Sequence, residues 1–244
     1  MRYTDDKELE RSSVVANCNM NRDRDIDGSN GYSKDLGFHP LEYLQSKLSG
    51  RESVSWLDIC CGAGNALIQA ANIVAERRLS ITITGVDLVG MFSNAVAANC
   101  LTLIEAALSD WRPDKQYDLI TCVHGLHYIG DKLGLVQRIS SWLTEDGSFC
   151  GNLSLENVIV RDKDSKTNLS ERQVAKILRD SNVKYSTSTR RLSLVGNQKI
   201  RFPVAFVAAD DSAGPNYTGQ PAVTSHYVSS KVLGSISGSP SQTL

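Results

Sequence analysis

The sequence predicts an α/β protein in which helices cover both faces of a mostly parallel sheet. From residue 54 onward, short runs of apolar and β-branched residues alternate with longer segments of helical periodicity, which is typical of parallel strands joined by crossover helices. The first of these runs leads through a glycine-containing turn directly into a helical segment. Two late strand-like runs, separated by Gly196 and Asn197, predict an antiparallel hairpin at one edge of the sheet.

The predicted organisation has a polar arm, a main domain and a polar tail. Residues 1–30 are rich in Asp, Asn, Arg and Ser and bury little apolar surface, so they are expected to be flexible. The main domain is expected to span residues 31–210. Its first part, residues 31–50, contains a helix opened by Pro40, because proline is favoured in a first turn. Residues 211–244 are rich in Ser, Gly and Pro and are predicted to be disordered.

The core elements follow from local composition and periodicity. Apolar, β-branched runs predict strands, and alanine- or leucine-rich stretches with helical spacing predict helices. In chain order these are the strand Val54–Ile59, a helix over 65–78, the strand Ile81–Asp87, a helix near 92–100, the strand Leu101–Glu105, a strand over 117–123, a helix over 133–143, a turn at 145–147, a strand over 148–153, a helix over 170–180 with Ser170 as its N-cap, and strands over 184–194 and 200–208.

The composition argues against several classes of partner. The 244 residues carry a formal net charge of −1, and no run of Lys and Arg exceeds two residues. A nucleic-acid binder would need a basic stripe, so no nucleic-acid partner is expected. No apolar run approaches the roughly 20 residues that span a bilayer, and the first residues lack the apolar stretch of a signal sequence. We therefore expect a cytoplasmic protein without a membrane partner; the sequence does not indicate an oligomeric state.

The six cysteines are predicted to be reduced and structural. Most lie inside apolar runs, where a free cysteine packs as a small hydrophobic residue. Cys60 and Cys61 are adjacent, whereas zinc sites use Cys-x-x-Cys spacing. No metal site is expected.

The ends of the predicted strands carry a pattern of glycines and acids. The segment from Asp58 to Gly64 ends the first strand and opens a helix, where glycines permit a sharp turn and free N–H groups favour a negative ligand group. Asp87 ends the second strand, and its carboxylate is suited to the two hydroxyls of a ribose. Asp110 follows the third strand and is suited to the exocyclic amine of adenine, while Trp111 is suited to stacking on that ring.

The same residues also have ordinary structural interpretations. A glycine turn alone serves any tight strand–helix connection, and a single acid is more often a helix cap or a solvated loop residue. Ligands of open α/β sheets bind beyond the carboxyl ends of the strands. Acids at three consecutive strand ends, with glycines at the first, therefore predict an adenosine-binding site.

These motifs resemble those of class I S-adenosylmethionine-dependent methyltransferases. The resemblance covers about residues 36–208 and includes 57–64, Asp87, 109–111 and 117–124. It implies a Rossmann-like methyltransferase sheet with a late antiparallel strand, S-adenosyl-L-methionine as cofactor, and transfer of a methyl group to an acceptor.

The resemblance also implies a role for each strand-end residue. The glycines would contact the methionine portion of the cofactor, Asp58 its ammonium group, and His124 would line the pocket of the sulfonium. The predicted cofactor-binding residues, all at or beside strand ends, are Asp58, Cys60, Gly62, Gly64, Asp87, Leu88, Asp110, Trp111, Val123 and His124.

Two alternatives remain at this point. A nicotinamide-dependent oxidoreductase would use Gly-x-Gly-x-x-Gly/Ala, but Leu67 stands at the third position and is too bulky for the close helix–strand contact. A methyltransferase-like domain that binds the cofactor yet only recruits a partner, or catalyses another reaction, has the same sequence features.

The predicted acceptor side follows the fourth strand. His127 is the preferred general base and His124 the second, because a histidine titrates near neutral pH; a hydrogen-bonded structural histidine is the alternative for both. Tyr32 and Phe38, in the segment before the core, and Tyr128 are the predicted substrate-pocket residues. A lid there would admit a small, partly apolar acceptor.

Overall fold

A computed structural model describes residue 9 and residues 24–93, 98–212, 214–215, 217 and 219–230. Its helices are α1 (Tyr32–Leu36), α2 (Pro40–Leu48), α3 (Asn65–Glu76), α4 (Lys132–Trp142) and α5 (Glu171–Asp180), with 3-10 helices at Gly125–Tyr128 and Leu155–Asn157. Its strands are β1 (Val54–Ile59), β2 (Ile81–Asp87), β3 (Leu101–Glu105), β4 (Tyr117–Cys122), β5 (Leu143–Asn152), β6 (Val158–Arg161), β7 (Lys184–Ser186), β8 (Arg191–Val195), β9 (Val204–Asp210) and β10 (Thr224–Ser229).

The main sheet has seven strands in the order β3-β2-β1-β4-β5-β8-β7. The five strands from β3 to β5 are parallel, and β8 is antiparallel to both β5 and β7. The predicted α/β fold, with a parallel sheet and a late antiparallel hairpin, is confirmed. The strand order reverses between β1 and β4, which puts the carboxyl ends of these two strands side by side at the switch point.

The core lies on both faces of this sheet. Successive strand residues point to opposite faces, and Trp56 and Leu57 accordingly belong to two different buried clusters. One cluster contains side chains of α1, α2 and α3, and the other contains side chains of α4 and α5. Every residue of β1 and β4 is buried, as expected for strands covered on both sides.

Some predicted elements are confirmed in detail, and others are not. Pro40 is in the first turn of α2, and Ser170 caps α5 in a capping box with Gln173. The residues at 145–147, predicted as a turn, instead belong to the long strand β5. The centre of the helix predicted near 92–100, residues 94–97, lies outside the described residues.

The late hairpin is real, but the predicted turn was wrong. The two hairpin strands are β7 and β8, which lie together within the single strand predicted over 184–194. Residues 187–190 form the turn between them. The Ser186 hydroxyl accepts hydrogen bonds from the backbone N–H and the hydroxyl of Thr189, and Arg190 has a φ of 49°. Polar side chains that bond to their own turn replace the glycine signal on which the prediction relied.

A second sheet of three strands, β6-β10-β9, was not predicted. Its central strand β10 falls in residues 211–244, so the prediction of disorder is wrong for Thr224–Ser229. Two polar residues of β10 form hydrogen bonds to the chain before α4: the Ser225 hydroxyl donates to the Gly130 carbonyl, and the Tyr227 hydroxyl donates to Asp131. Residues 231–244 lie outside the described residues.

Part of the predicted flexible arm is packed onto the domain. Residues 24–31 form a turn in which Ile26 is buried, and the Ile26 N–H donates to the side-chain oxygen of Gln69. Residues 1–8 and 10–23 lie outside the described residues. Among the helices that the structure describes, none is long and apolar enough to cross a bilayer.

Candidate functional site

The loop after β1 turns sharply before α3 begins. Cys60, Gly62 and Gly64 have φ values of 57°, 61° and 76°, and Gly64 is the N-cap of α3. A Cβ on Gly64 would meet the side chain of Leu103 at 3.3 Å. Glycine is therefore required there by the left-handed backbone and by contact with β3. The loop leaves the first N–H groups of α3 without carbonyl partners inside the helix, which favours a negative ligand group nearby.

Asp87 ties the ends of β1 and β2 together. One carboxylate oxygen accepts from the Gly62 N–H at 2.9 Å, and the other accepts from the Val89 N–H at 3.2 Å. An ionised carboxylate has about four acceptor positions. Two of them remain for other donors, at the edge of the sheet where the β1 loop turns. Leu88, which lies between Asp87 and Val89 in the chain, is partly buried.

Asp58 is the buried acid of the site. Its carboxylate accepts hydrogen bonds from the Tyr32 hydroxyl at 2.7 Å and from the Thr121 hydroxyl, while Trp56 donates to Thr121 at 2.8 Å. Burial raises the pKa of Asp58 to about 7, against the lowering effect of these two hydroxyls and with a further rise from the charge of Asp87. A cation placed beside Asp58 would favour its ionised form. Tyr32, predicted as a substrate-pocket residue, thus contacts Asp58, which was predicted to bind the cofactor.

The loop after β4 packs directly on the loop after β1. A Cβ on Gly125 would lie 2.3 Å from the Cβ of Cys60, so only glycine fits at this contact. Val123, which precedes His124 in this loop, is buried. His124 has a φ of 58°, and its N–H donates to Asn152 at 3.4 Å. The two loops therefore form one surface at the switch point.

The ring of His124 is held at both nitrogens. Nε2 lies 3.5 Å from a carboxylate oxygen of Asp35, and Nδ1 lies 3.3 Å from the hydroxyl of Tyr217. Tyr217 also contacts the ring of His127 edge-on, with ring centroids 5.6 Å apart, and the guanidinium of Arg190 lies 4.2 Å from the centroid of the Tyr217 ring. These five residues are called the His124 cluster.

His127, the preferred base from the sequence, is fully enclosed. Its side chain has 0% exposure, and neither ring nitrogen has a hydrogen-bond partner among the described residues. Burial lowers the pKa of His127 well below its ordinary value, and the nearby basic side chains of His124, Lys132 and Arg190 lower it further. The imidazole is therefore neutral at pH 7, and charging it in this enclosure is costly.

The remaining predicted site residues are Asp110, Trp111, Phe38 and Tyr128. Asp110 is exposed at the turn after β3, and Trp111 packs edge-on against Trp142, with ring centroids 5.9 Å apart. Phe38 packs against Tyr43 of α2 at 5.5 Å. Tyr128 is partly buried at the end of the 3-10 helix that follows β4. The roles predicted for them in adenine and acceptor binding stay predictions.

The sequence did not point to three residues of the site. Thr121 is a polar residue in an otherwise apolar strand, which is a signal that sequence inspection can use. Asp35 had none, because it lies in a polar segment where acids are common. Tyr217 was hidden in a segment predicted to be disordered.

Metal chemistry has no ready ligands in the described part of the chain. No group of three or more His, Cys, Asp or Glu side chains there could hold a metal ion. The five described cysteines are free. A hydrogen bond with Cys122, together with burial, raises the pKa of the Cys60 thiol well above its ordinary value, and burial does the same for Cys61, so both are protonated at neutral pH.

The chain also has an open groove of about 560 Å³ at the β7 edge of the main sheet. It is lined by residues of α5, β7 and β8 and by the connections beside them, including Arg179, Val183, Tyr185 and Leu194. None of the strand-end residues described above contributes to it. The groove is therefore separate from the candidate functional site.

A family model described as a methyltransferase domain matches residues 37–180. No curated protein sequence matches the chain. Among solved structures, similarity is found to a SAM-dependent methyltransferase from Aquifex aeolicus (15% identity, 67% of this chain and 91% of that chain, TM-score 0.42). It is also found to CalS10, an amino pentose methyltransferase from Micromonospora echinaspora bound to SAM (16% identity, 47% and 49%, TM-score 0.37).

A third solved structure is coclaurine N-methyltransferase bound to N-methylheliamine and SAH (18% identity, 46% of this chain and 34% of that chain, TM-score 0.32). The matched part of this chain spans about half of the CalS10 chain and a third of the coclaurine enzyme.

Proposed function

The chain belongs to the methyltransferase-domain family, and we propose that it transfers the methyl group of S-adenosylmethionine to a small-molecule acceptor. When bound, this cofactor supplies an electrophilic methyl group on a positively charged sulfur. The observation that carries the proposal is the pair of acids at adjacent strand ends: Asp87 with two acceptor positions to spare, and Asp58 buried with a raised pKa.

The chemistry of these residues fits the two ends of the cofactor. The spare acceptor positions of Asp87 suit the vicinal hydroxyls of the ribose. Asp58, ionised when a cation lies beside it, suits the ammonium group of the methionine portion. The turn from Cys60 to Gly64 follows Asp58 and contacts Asp87 through the Gly62 N–H. Its glycines leave room for the cofactor beside the backbone. Asp110 and Trp111 are proposed for the adenine, as in the sequence-based prediction.

A small acceptor is supported by the enclosure of the acceptor side. The segment containing Tyr217 lies over the loop after β4, and His124 and His127 are both buried beneath it. A macromolecular acceptor would need an open surface at this position. The near-zero net charge also gives no electrostatic support for a nucleic-acid acceptor.

Of the two histidines, His124 is better suited than His127 to take up a proton. Its Nε2 lies 3.5 Å from a carboxylate oxygen of Asp35, which orients the ring so that Nδ1 can accept a proton. His127 is enclosed, and its pKa is already lowered by burial and by neighbouring positive charges.

Isothermal titration with S-adenosylmethionine and with S-adenosylhomocysteine tests the cofactor assignment. The wild type is expected to bind both compounds. Asp87→Asn should weaken binding by about tenfold or more, because it removes the charge that strengthens the ribose hydrogen bonds. The matched control is Asp180→Asn, which removes an exposed acid paired with Lys176 at the end of α5 and should change nothing. If neither compound binds the wild type, the proposal is refuted.

Methyl transfer itself is tested with radiolabelled S-adenosylmethionine and a panel of small hydroxyl, amine and thiol acceptors. Labelled product is expected with at least one class. Tight cofactor binding with no transfer to the panel or to a metabolite extract would favour the alternative, a cofactor-binding domain that recruits a partner.

A further inference from the structure

Tyr217 reaches the acceptor side from outside the family domain. The match to the family model ends at residue 180, whereas Tyr217 lies between β9 and β10. The chain on its carboxyl side is anchored to the loop after β4: the Val223 N–H donates to the carbonyl of His127 at 2.9 Å, and Lys132 donates to the carbonyl of Val223 at 2.7 Å. This anchoring holds the half-buried Tyr217 ring against both histidines.

The hydrogen bonds of the His124 cluster fit one tautomer. Asp35 accepts from His124 only if the proton is on Nε2, and Nδ1 then carries the lone pair that accepts from the Tyr217 hydroxyl. Burial pushes the pKa of Asp35 upward, but the hydrogen bond from His124 and the charge of Arg24 outweigh it and leave the pKa below its ordinary value. Asp35 is therefore a charged acceptor that fixes the imidazole.

This arrangement makes the phenol the group of the cluster best placed to take a proton from an acceptor, because Asp35 is occupied by His124 and Arg24, and the guanidinium of Arg190, although partly exposed, has no lone pair to offer. Both nitrogens of His124 are engaged, and His127 is enclosed. The Tyr217 side chain is half-buried, so one side of it faces outward from the loop. The phenol contacts His124 in the loop that borders the predicted sulfonium pocket, which puts it next to the place proposed for the acceptor.

We propose that Tyr217 is a catalytic residue that takes the proton of a hydroxyl acceptor while it passes its own proton to His124, with Asp35 as a positioning residue. This inference rests on the proposed methyl transfer. One O–H bond breaks at the acceptor and one forms at the Tyr217 oxygen; the original Tyr217 proton bonds to Nδ1. The acceptor oxygen uses a lone pair to bond the methyl carbon, and the carbon–sulfur bonding pair stays on sulfur. One positive charge is lost from sulfur and one is gained on His124, beside Asp35.

The need for a relay follows from the environment of the phenol. Burial raises the pKa of Tyr217, and the negative charge of Asp35 raises it further. Tyr217 is therefore a neutral phenol before the reaction and is a poor base by itself. It can accept a proton only as its own proton leaves, so the two transfers are coupled through His124.

The first test measures the hydrogen bond without any acceptor. The whole chain contains four histidines, so the side-chain ¹⁵N resonances of His124 can be assigned by single substitutions. Tyr217→Phe keeps the ring on His127 and Arg190 but removes the hydroxyl. It should shift the Nδ1 resonance of His124 toward that of a nitrogen without a donor, while the backbone amide spectrum stays unchanged elsewhere. An unchanged Nδ1 resonance would overturn the proposal.

The second test separates proton removal from packing. Phenol and thiophenol serve as matched acceptors, because the thiol is the more acidic and needs less help to ionise. Tyr217→Phe should slow methylation of phenol by about 100-fold and that of thiophenol by less than about threefold, with S-adenosylhomocysteine affinity unchanged. Equal losses on both acceptors, or none on phenol, would contradict a role in proton transfer.

The matched control is Tyr43→Phe, which removes a hydroxyl that donates to Ser148 at 2.8 Å in the body of the domain. It should leave both rates unchanged. Failure of the proposed function is distinguishable, because it appears as absence of cofactor binding in the wild type, whereas the ¹⁵N result depends only on the His124 cluster.

Discussion

The proposed cofactor half and the proposed acceptor half of the site are built in different ways. The cofactor half consists of Asp58, Asp87 and the glycine turn, which lie within 30 residues of one another and follow directly from consecutive parallel strands. The acceptor half brings together Asp35, His124 and Tyr217 from three distant parts of the chain. Local sequence can therefore specify the first half, whereas only the folded chain specifies the second.

The loops of the two halves meet at a tight contact at Gly125, and breaking it has the largest expected effect. Gly125→Ala would put a Cβ 2.3 Å from the Cβ of Cys60, between two buried loops. The free energy of unfolding should fall by about 3 kcal/mol, because neither loop can shift without disturbing its strand. Cofactor affinity and methyl transfer should fall together. Urea denaturation and titration with S-adenosylhomocysteine measure the two effects.

The control for this substitution is Gly50→Ala. Gly50 has a φ of 91°, and a Cβ at this position would have no other atom within 4 Å. The substitution therefore reports the cost of the left-handed backbone alone, about 1 kcal/mol. If Gly125→Ala is no more destabilising than Gly50→Ala, the loops do not depend on each other as we infer.

The sequence could predict that the residues of the proposed cofactor half lie close together, because its signals are local. The β-branched runs, the turn glycines and the acids at strand ends are close in sequence, and a parallel sheet aligns all these ends at one edge. What the sequence did not reveal is how each acid is held. The contact of Asp58 with Tyr32 and Thr121 depends on the packing of α1 against β1 and β4, and composition does not specify that packing.

The acceptor half was predicted only in part, and the reason is physical. His124 and His127 were recognised because they follow β4 directly. Tyr217 was missed because β10 is rich in polar residues, which resemble a disordered tail until their hydrogen bonds to α4 are known. A sequence pattern detects apolar burial, but it does not detect polar side chains that are satisfied by distant partners.

The pH dependence of cofactor binding tests the role proposed for Asp58 in the cofactor half. Its pKa is raised to about 7 in the folded protein without cofactor, so it is protonated below that pH and ionised above it. If it pairs with the ammonium group of S-adenosylmethionine, binding requires release of its proton. The dissociation constant should then rise by about tenfold for each pH unit below 7, and proton release on binding can be measured by calorimetry in buffers of different ionisation enthalpy.

Stability without cofactor should have the opposite dependence on pH. A carboxyl whose pKa is higher in the folded state binds its proton more tightly when folded, so its contribution to stability is greatest at low pH and is lost as pH rises through about 7. Asp58→Asn should remove both dependences. Cofactor affinity that is independent of pH between 5.5 and about 8 in the wild type would mean that Asp58 does not face the ammonium group.

The smallest expected effect comes from the strand that supports the acceptor half. The Tyr227 hydroxyl donates to Asp131 at 3.0 Å and accepts from the Leu133 N–H at 3.0 Å, in the first turn of α4. Tyr227→Phe leaves that buried N–H without its partner, so the free energy of unfolding should fall by about 1 kcal/mol. The cofactor half does not touch β10, so S-adenosylhomocysteine affinity should be unchanged. Because β10 anchors the segment that holds Tyr217, hydrogen exchange of the Val223 N–H should become faster. A loss of cofactor-binding free energy as large as the loss of stability would show that the two halves are more strongly coupled than their separate construction implies.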